Sequence, residues 1–268
     1  MSTETRIGEA IRITRAEGIA TVTLDRGDTR NALSYQILRD LTAAARAFDD
    51  DLDTRAIVVT GRPVFSAGAD LKDPNLAKRQ AAGLLERRNM LKAGPAMCDA
   101  WARVSVPVIA AVEGYCIGGG VTLATACDFR VIAQSAFFRL PEIPLGMNMS
   151  CHTVPRLVSL MGPARAKRFI ILGEALGAAD ALAQGLADAV APDGGAYDEA
   201  LALARKYAAL PPNAVAMTKQ AVDAASGALH AATTYMDLDQ FALTQTSEDA
   251  REAVTAFLEK RAPKFTGR

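Results

Sequence analysis

Three short segments of this 268-residue chain carry residue types that suit chemistry, and they recur at one kind of place. They are Phe65-Ser66-Ala67-Gly68-Ala69-Asp70-Leu71, Glu113-Gly114-Tyr115-Cys116-Ile117-Gly118-Gly119-Gly120 and Leu140-Pro141-Glu142-Ile143-Pro144-Leu145-Gly146. Each comes after an apolar run that reads as a strand. Small residues after a strand leave backbone N–H groups bare and allow another molecule close to the main chain. An N–H that opens a helix also carries the positive end of the helix dipole. Two such donors aimed at one carbonyl oxygen, with Glu142 among apolar neighbours beside them, suit proton removal at the adjacent carbon with stabilisation of the resulting enolate.

The elements that must position these segments alternate. Ile11 to Ile13 and Ile19 to Leu24 read as a hairpin around Arg15-Ala16-Glu17-Gly18, followed by a turn-rich loop from Asp25 to Asn31. Leu33 to Phe48 carries a helical stripe, with Ser34 able to act at its start. Ala56 to Gly61 is a short buried strand, Arg62 to Asp73 a loop, and Leu76 to Arg103 a long helical region interrupted near Gly94-Pro95. Val106 to Val112 is a strand, Val121 to Cys127 a helix, Phe129 to Ala133 a strand, and Phe137 to Gly146 a loop. From Pro163 the pattern is almost wholly helical, with breaks at Gly173, Gly177, Gly185, 192–195 and 211–212. The reading is an α/β core over residues 1–198 and a C-terminal helical region over 199–268, with no internal repeat and no linker.

The totals narrow the function. Lys+Arg and Asp+Glu are both 30, so the chain is formally neutral and offers no general attraction to nucleic acid or an anionic membrane. Four cysteines without a C-x-x-C pair and only two histidines give no metal signature. The cysteines read as small buried hydrophobes of a reducing compartment. Met1 to Arg6 has no apolar core of a secretory leader, so a cytoplasmic protein is expected. Glu113, Pro107 and the glycines argue against a membrane span from Val106 to Ala126.

Taken jointly and in this order, the segments resemble the crotonase superfamily, the enoyl-CoA hydratase/isomerase family, from Arg30-Asn31-Ala32-Leu33 to Phe257-Leu258-Glu259-Lys260-Arg261. The resemblance implies a ClpP-like spiral of ββα units with a C-terminal helical region. It implies an oxyanion hole from the N–H groups of Ala69 and Gly119 for a thioester oxygen, and Glu142 as acid–base group. Coenzyme A, part of the substrate and not a separate cofactor, would run past Arg30, Ala32 and Ala67 with Lys72 near its phosphates. Asp70, Leu71, Gly118 and Thr122 would lie along the same site. Phe241 and Lys260 match positions that contact the nucleotide, in many relatives from a neighbouring subunit, which makes a homotrimer or a dimer of trimers the expected assembly.

The chain departs from a hydratase at one place. A hydratase uses two glutamates; the second matches Glu142, and the first would sit two positions after the triple glycine, where this chain has Thr122, whose hydroxyl is no base near neutral pH without activation. A lone glutamate at 142 resembles the Δ3,Δ2-enoyl-CoA isomerases, in which one carboxylate moves a proton from C2 to C4. A hydratase working without the first glutamate and a non-catalytic acyl-CoA binder are the alternatives. The stretch Met147 to Thr153 is bulkier than the glycine-rich stretch of typical hydratases. Asp70 also reads as a helix N-cap or loop-stabilising residue, Asp128 as structural, and His152 and Cys151 as packed residues outside the site.

Overall fold

The computed structural model describes residues 3–268, so the leader reading of Met1 and Ser2 lies outside the described residues. Strands β1 (Thr3–Ile7), β2 (Ile11–Ala16), β3 (Ile19–Leu24), β4 (Ala56–Gly61), β5 (Val108–Val112), β7 (Phe129–Ala133) and β10 (Ala189–Ala191) form a seven-stranded sheet in the order β1-β2-β3-β4-β5-β7-β10. The first three pair antiparallel, and from β3 onward every pairing is parallel. Parallel strands bury both faces, which is why β4 and β5 read as nearly continuous apolar runs and are buried at every position.

A second sheet of β6 (Tyr115–Ile117), β8 (Phe137–Arg139) and β9 (Leu176–Gly177) stands beside the first. The sequence reads as a loop over 137–146, but its first three residues form β8, and β6 lies inside the glycine-rich segment 113–120. The structure also adds β1, and it places β9 and β10 in the region that read as helix. Single bridges extend the small sheet to the two earlier crossovers: Ser66 pairs with Cys116 and Leu33 with Ala69. After β3, β4, β5 and β7 the chain therefore turns into the same second layer before continuing. The result is a spiral, repeated in structure though not in sequence.

Helices flank this spiral. Helix α1 (Tyr35–Arg46) starts at Ser34, whose hydroxyl accepts the Ile37 N–H at 3.3 Å. The helical region expected over 76–103 is three helices, α2 (Pro74–Ala81), α3 (Leu84–Leu91) and α4 (Ala93–Ala102). Gly94-Pro95 does not interrupt it, because a proline in the first turn has no intrahelical bond to lose. The chain breaks instead at Ala82 and Gly83, both extended. Then come α5 (Gly119–Ala126), α6 (Thr153–Met161), α7 (Pro163–Leu172), α8 (Ala178–Ala183), α9 (Ala196–Ala208), α10 (Pro212–Ser226), α11 (His230–Thr234), α12 (Asp237–Thr244) and α13 (Glu248–Glu259). The expected boundary at 198/199 falls inside α9, whose buried Ala196, Ala200 and Ala204 face β4, β5 and β7. This helix belongs to the core. No described helix is long and apolar enough to cross a membrane.

Asn31 fastens the first crossovers together. It is fully buried, its Nδ2 donates to the carbonyls of Leu24 (3.0 Å), Arg62 (3.1 Å) and Val64 (2.7 Å), and its Oδ1 accepts the Arg26 N–H at 2.9 Å. Each such bond is worth about 1 kcal/mol, and each buried carbonyl left without its donor costs about 1–3 kcal/mol. Its φ of 57° lies in the left-handed region, which asparagine tolerates better than most residues.

Candidate active site

Two amides stand out by what their neighbours do. In the first segment, Ala67 N–H donates to the Arg30 carbonyl (3.0 Å), Gly68 N–H to Ser66 Oγ (3.1 Å) and Asp70 N–H to the Leu33 carbonyl (3.1 Å). In the second, Ile117 N–H donates to the Ser66 carbonyl (3.0 Å) and Gly118 N–H to the Arg139 carbonyl (2.8 Å). Ala69 N–H and Gly119 N–H have no acceptor among the described residues. Gly119 is the first residue of α5, where an N–H has no intrahelical partner and the dipole is positive. Ala69 is exposed and Gly119 half-buried, so neither residue is sealed in the core.

The crossovers that hold them are in contact. A Cβ on Gly68 would meet the Ile117 carbonyl oxygen at 2.8 Å and Gly118 Cα at 3.7 Å. A Cβ on Gly120 would meet Ser66 Cβ at 2.8 Å. Ser66 Oγ donates to the Asn31 carbonyl at 2.8 Å, which joins this contact to the Asn31 hub. Only glycines permit this approach, and Gly68 and Gly118 also have φ of 84° and 49°.

Glu142 completes the group. A Cβ on Gly118 would lie 2.8 Å from Glu142 Oε1, so the carboxyl group rests on the glycine that precedes the open Gly119 amide. Oε2 is fully buried with no hydrogen-bond partner among the described residues, although the residue as a whole is only partly covered. Burial pushes its pKa from 4.5 up to about 7, opposed only by a hydrogen bond from its own backbone. A carboxyl of that pKa gives up and takes back a proton near neutrality, as an acid–base group must.

Thr122 is buried one turn into α5, and its Oγ1 donates to the Gly119 carbonyl at 2.7 Å. That bond ties the hydroxyl to the backbone and gives it no base of its own. Behind Glu142 lie two thiols. Cys151 Sγ would meet a Cβ on Gly94 at 2.7 Å, and Cys98 is one turn along the same helix, α4. The Cys151 pKa is pushed well above the usual thiol range, first by sharing its proton with Cys98, then by burial, with the charge of Glu142 adding to both.

The remaining expected residues fall in two groups. Arg30 is exposed at φ 51° beside buried Ala32, whose carbonyl accepts Arg26 Nη1. Ala67 is half-buried, while Leu71 and Lys72 are exposed on the rim after Ala69. Asp70 does not cap a helix: its Oδ2 accepts Arg26 Nη1 at 3.0 Å and its Oδ1 accepts the Lys72 N–H at 3.0 Å. Its carboxylate is thus engaged within its own loop, and the caps are made by Asp73, which takes the Tyr35 N–H at 2.6 Å and the Asn75 N–H at 2.9 Å. Phe241 on α12 and the exposed Lys260 after α13 stand apart from this cluster. Their helices pack on α3, α11 and the segment at Gly146. Asp128 is structural as expected, accepting the Val108 N–H at 2.7 Å and the Lys219 ammonium.

Sequence reasoning missed Asn31 and Ser66 as the supports of the site. Their only signal is an asparagine closing a charged, turn-rich loop and a serine among small residues, and nothing in the sequence says that either is buried.

The family model described as enoyl-CoA hydratase/isomerase matches residues 14–268. A probable enoyl-CoA hydratase, echA8, of Mycobacterium bovis is 35% identical, with 97% of this chain and 99% of the relative covered. The 2,3-dehydroadipyl-CoA hydratase of Escherichia coli K12 is also 35% identical, over 96% of this chain and 98% of the relative. The crystal structure of an enoyl-CoA hydratase from Mycobacterium avium subsp. paratuberculosis K-10 superposes with a TM-score of 0.84 at 28% identity, covering 96% of this chain and 99% of that one.

The burial of Glu142 carries a stability signature. A carboxyl whose folded pKa is raised binds its proton more tightly in the native state, so its contribution is lost as pH rises from 4.5 through about 7. Glu142→Gln removes that dependence. Denaturant unfolding at pH 5 and pH 8 is expected to show the variant gaining about 2–3 kcal/mol on the wild type between the two, at about 1.4 kcal/mol per pKa unit. Parallel pH dependence in both proteins would mean an ordinary, solvated carboxylate.

Proposed function

We propose, from the premise that this chain belongs to the enoyl-CoA hydratase/isomerase family of the crotonase superfamily and is an acyl-CoA enzyme, that it moves the double bond of an enoyl-CoA. The supporting observation is the asymmetry of acids at the site: one desolvated carboxyl at Glu142, and at the second position a threonine whose hydroxyl is tied to the backbone. The thioester oxygen would sit on the Ala69 and Gly119 N–H groups, which favour the enolate because negative charge develops on that oxygen. Glu142, ionised, takes a proton from C2. The dienolate is held by the two amides, and the same carboxyl returns the proton at C4. Each donor of such a hole is worth about 3–4 kcal/mol. Coenzyme A arrives as part of the substrate, with Arg30 and Lys72 as exposed cations on the rim able to meet its phosphates.

Relatives described as hydratases make hydration the competing reading. It needs a second group to activate water, and Thr122 does not supply one. The test is double-bond migration in a 3-enoyl-CoA alongside hydration of crotonyl-CoA. Glu142→Gln is expected to cut isomerisation by about 100-fold or more, with the wild type a poor hydratase. Hydration at the pace of isomerisation, or full migration in Glu142→Gln, refutes the assignment. No α-proton exchange in deuterated water, with acyl-CoA still bound, would make the protein a binder.

Assembly belongs to the same reading. Helix α10 has no buried residue, although it is the longest described helix. A cavity of about 790 Å³ between it and the ends of α4, α5 and α6 is lined largely by apolar groups such as Leu160, Tyr207, Leu210 and Val215. It contains none of Ala69, Gly119 and Glu142. This face suits a second copy of the chain, in a homotrimer or dimer of trimers. Light scattering in solution is expected to give three or six times the mass of 28.3 kDa; a monomer overturns it.

A further inference from the structure

The segment from Glu142 to His152 ends in a backbone that few side chains adopt. Cys151 and His152 are consecutive and have φ of 63° and 57°. Two successive non-glycine residues in the left-handed region cost about 1–3 kcal/mol each and persist only where surrounding contacts overdetermine them. Here the contacts are explicit. His152 Nδ1 bonds Asp99 Oδ1 on α4 at 2.8 Å, and its backbone N–H donates to Asp237 Oδ2 on α12 at 3.1 Å. Arg156 Nη1 donates to the Cys151 carbonyl at 3.0 Å and to the His152 carbonyl at 3.4 Å, while its Nη2 lies 3.6 Å from Asp99. The imidazole and the guanidinium thus share one carboxylate, and three helices hold a single residue.

The other end of the segment is Glu142. Its carbonyl accepts the N–H groups of Leu145 (3.1 Å) and Met147 (2.8 Å), so the acid sits at the head of a tight turn. From there the chain is fastened at Gly146, where a Cβ would meet Ala250 Cα of α13 at 2.6 Å, and at Asn148, whose N–H donates to Thr244 Oγ1 at 3.1 Å. It then reaches Cys151, lodged on Gly94 of α4, and His152, tied to Asp99 of the same helix. Helix α4 packs on α5, the helix that opens with the Gly119 amide. The acid and the oxyanion donor therefore share α4 as a common support.

We infer that His152 is a positioning residue for Glu142: with Asp99 it clamps the far end of the 142–152 segment to α4, and so fixes the carboxyl relative to the Ala69 and Gly119 amides. The inference rests on Glu142 being the acid–base group. A displacement of about 1 Å at such a group is enough to lower a rate about 100-fold. The clamp loosens without unfolding when the ring is removed, because glycine accepts the left-handed backbone freely.

Three variants separate positioning from mere stability. His152→Gly removes the ring and relieves the backbone. His152→Asn keeps a donor close to the place of Nδ1 and tolerates positive φ. Asp99→Asn removes the charge of the partner. Isomerisation kinetics and melting temperature are measured for each beside Glu142→Gln. The expected result for His152→Gly is a kcat about tenfold lower, KM within about twofold and little change in melting. Recovery of most of kcat is expected in His152→Asn, with the Asp99→Asn and His152→Gly losses less than additive when combined. Wild-type kcat in His152→Gly, or an Asn variant no better than the Gly variant, overturns the inference while a dead Glu142→Gln leaves the reading of the acid intact. Full turnover in Glu142→Gln removes both together.

Discussion

The structure depends on the pairing of main chains in its small second sheet. Four crossovers of the spiral turn into that layer, and their amides are used up in holding one another: Ala67 on Arg30, Asp70 on Leu33, Ile117 on Ser66, Gly118 on Arg139. A buried N–H without an acceptor costs free energy, so a chain leaves few of them. The pairing leaves Ala69 and Gly119 without acceptors, one in each of two touching crossovers. The oxyanion hole proposed here would be the remainder of an otherwise satisfied sheet edge. Its precision follows from strands buried on both faces and from the Asn31 and Ser66 bonds that fix the two crossovers, not from any side chain that touches substrate.

Desolvation sets the state of the acid. The small residues that let the crossovers touch also let the Glu142 carboxyl lie against Gly118, away from water and without a partner for Oε2. The same closeness that opens the donors raises the acid. At the facing position, Thr122 answers to its own helix by bonding the Gly119 carbonyl. On the proposed reading, a donor pair with one adjustable acid moves a proton along a substrate, whereas adding water would call for a further group to activate it.

Much of this was legible in the residues. The post-strand segments singled out Glu142 as a carboxylate among apolar neighbours, the family resemblance pointed to the Ala69 and Gly119 amides, and Ser34 announced the start of α1 through its capping hydroxyl. Strands β6, β8, β9 and β10 were not legible, because two or three residues are too few to show alternation. Gly94-Pro95 looked like an interruption, yet both residues sit in the first turn of α4, where neither harms a helix. Asn31 and Ser66 were hidden for a different reason: their importance lies in being buried, and burial is a property of the assembled crossovers. Cys151 and His152 read as bland packed residues because the left-handed backbone that sets them apart is held by Asp99 and Asp237, both far away in sequence, together with Arg156 one turn on.

The central claim is that two main-chain amides converge on one thioester oxygen. The most direct measurement is the infrared difference spectrum of crotonyl-CoA carrying ¹³C at the thioester carbonyl, bound to the protein and compared with the same molecule in water. Two preorganised N–H donors polarise the carbonyl, so its stretching band should move to lower frequency on binding. A band that stays where water leaves it, or moves up, would mean that the Ala69 and Gly119 amides do not meet at that atom.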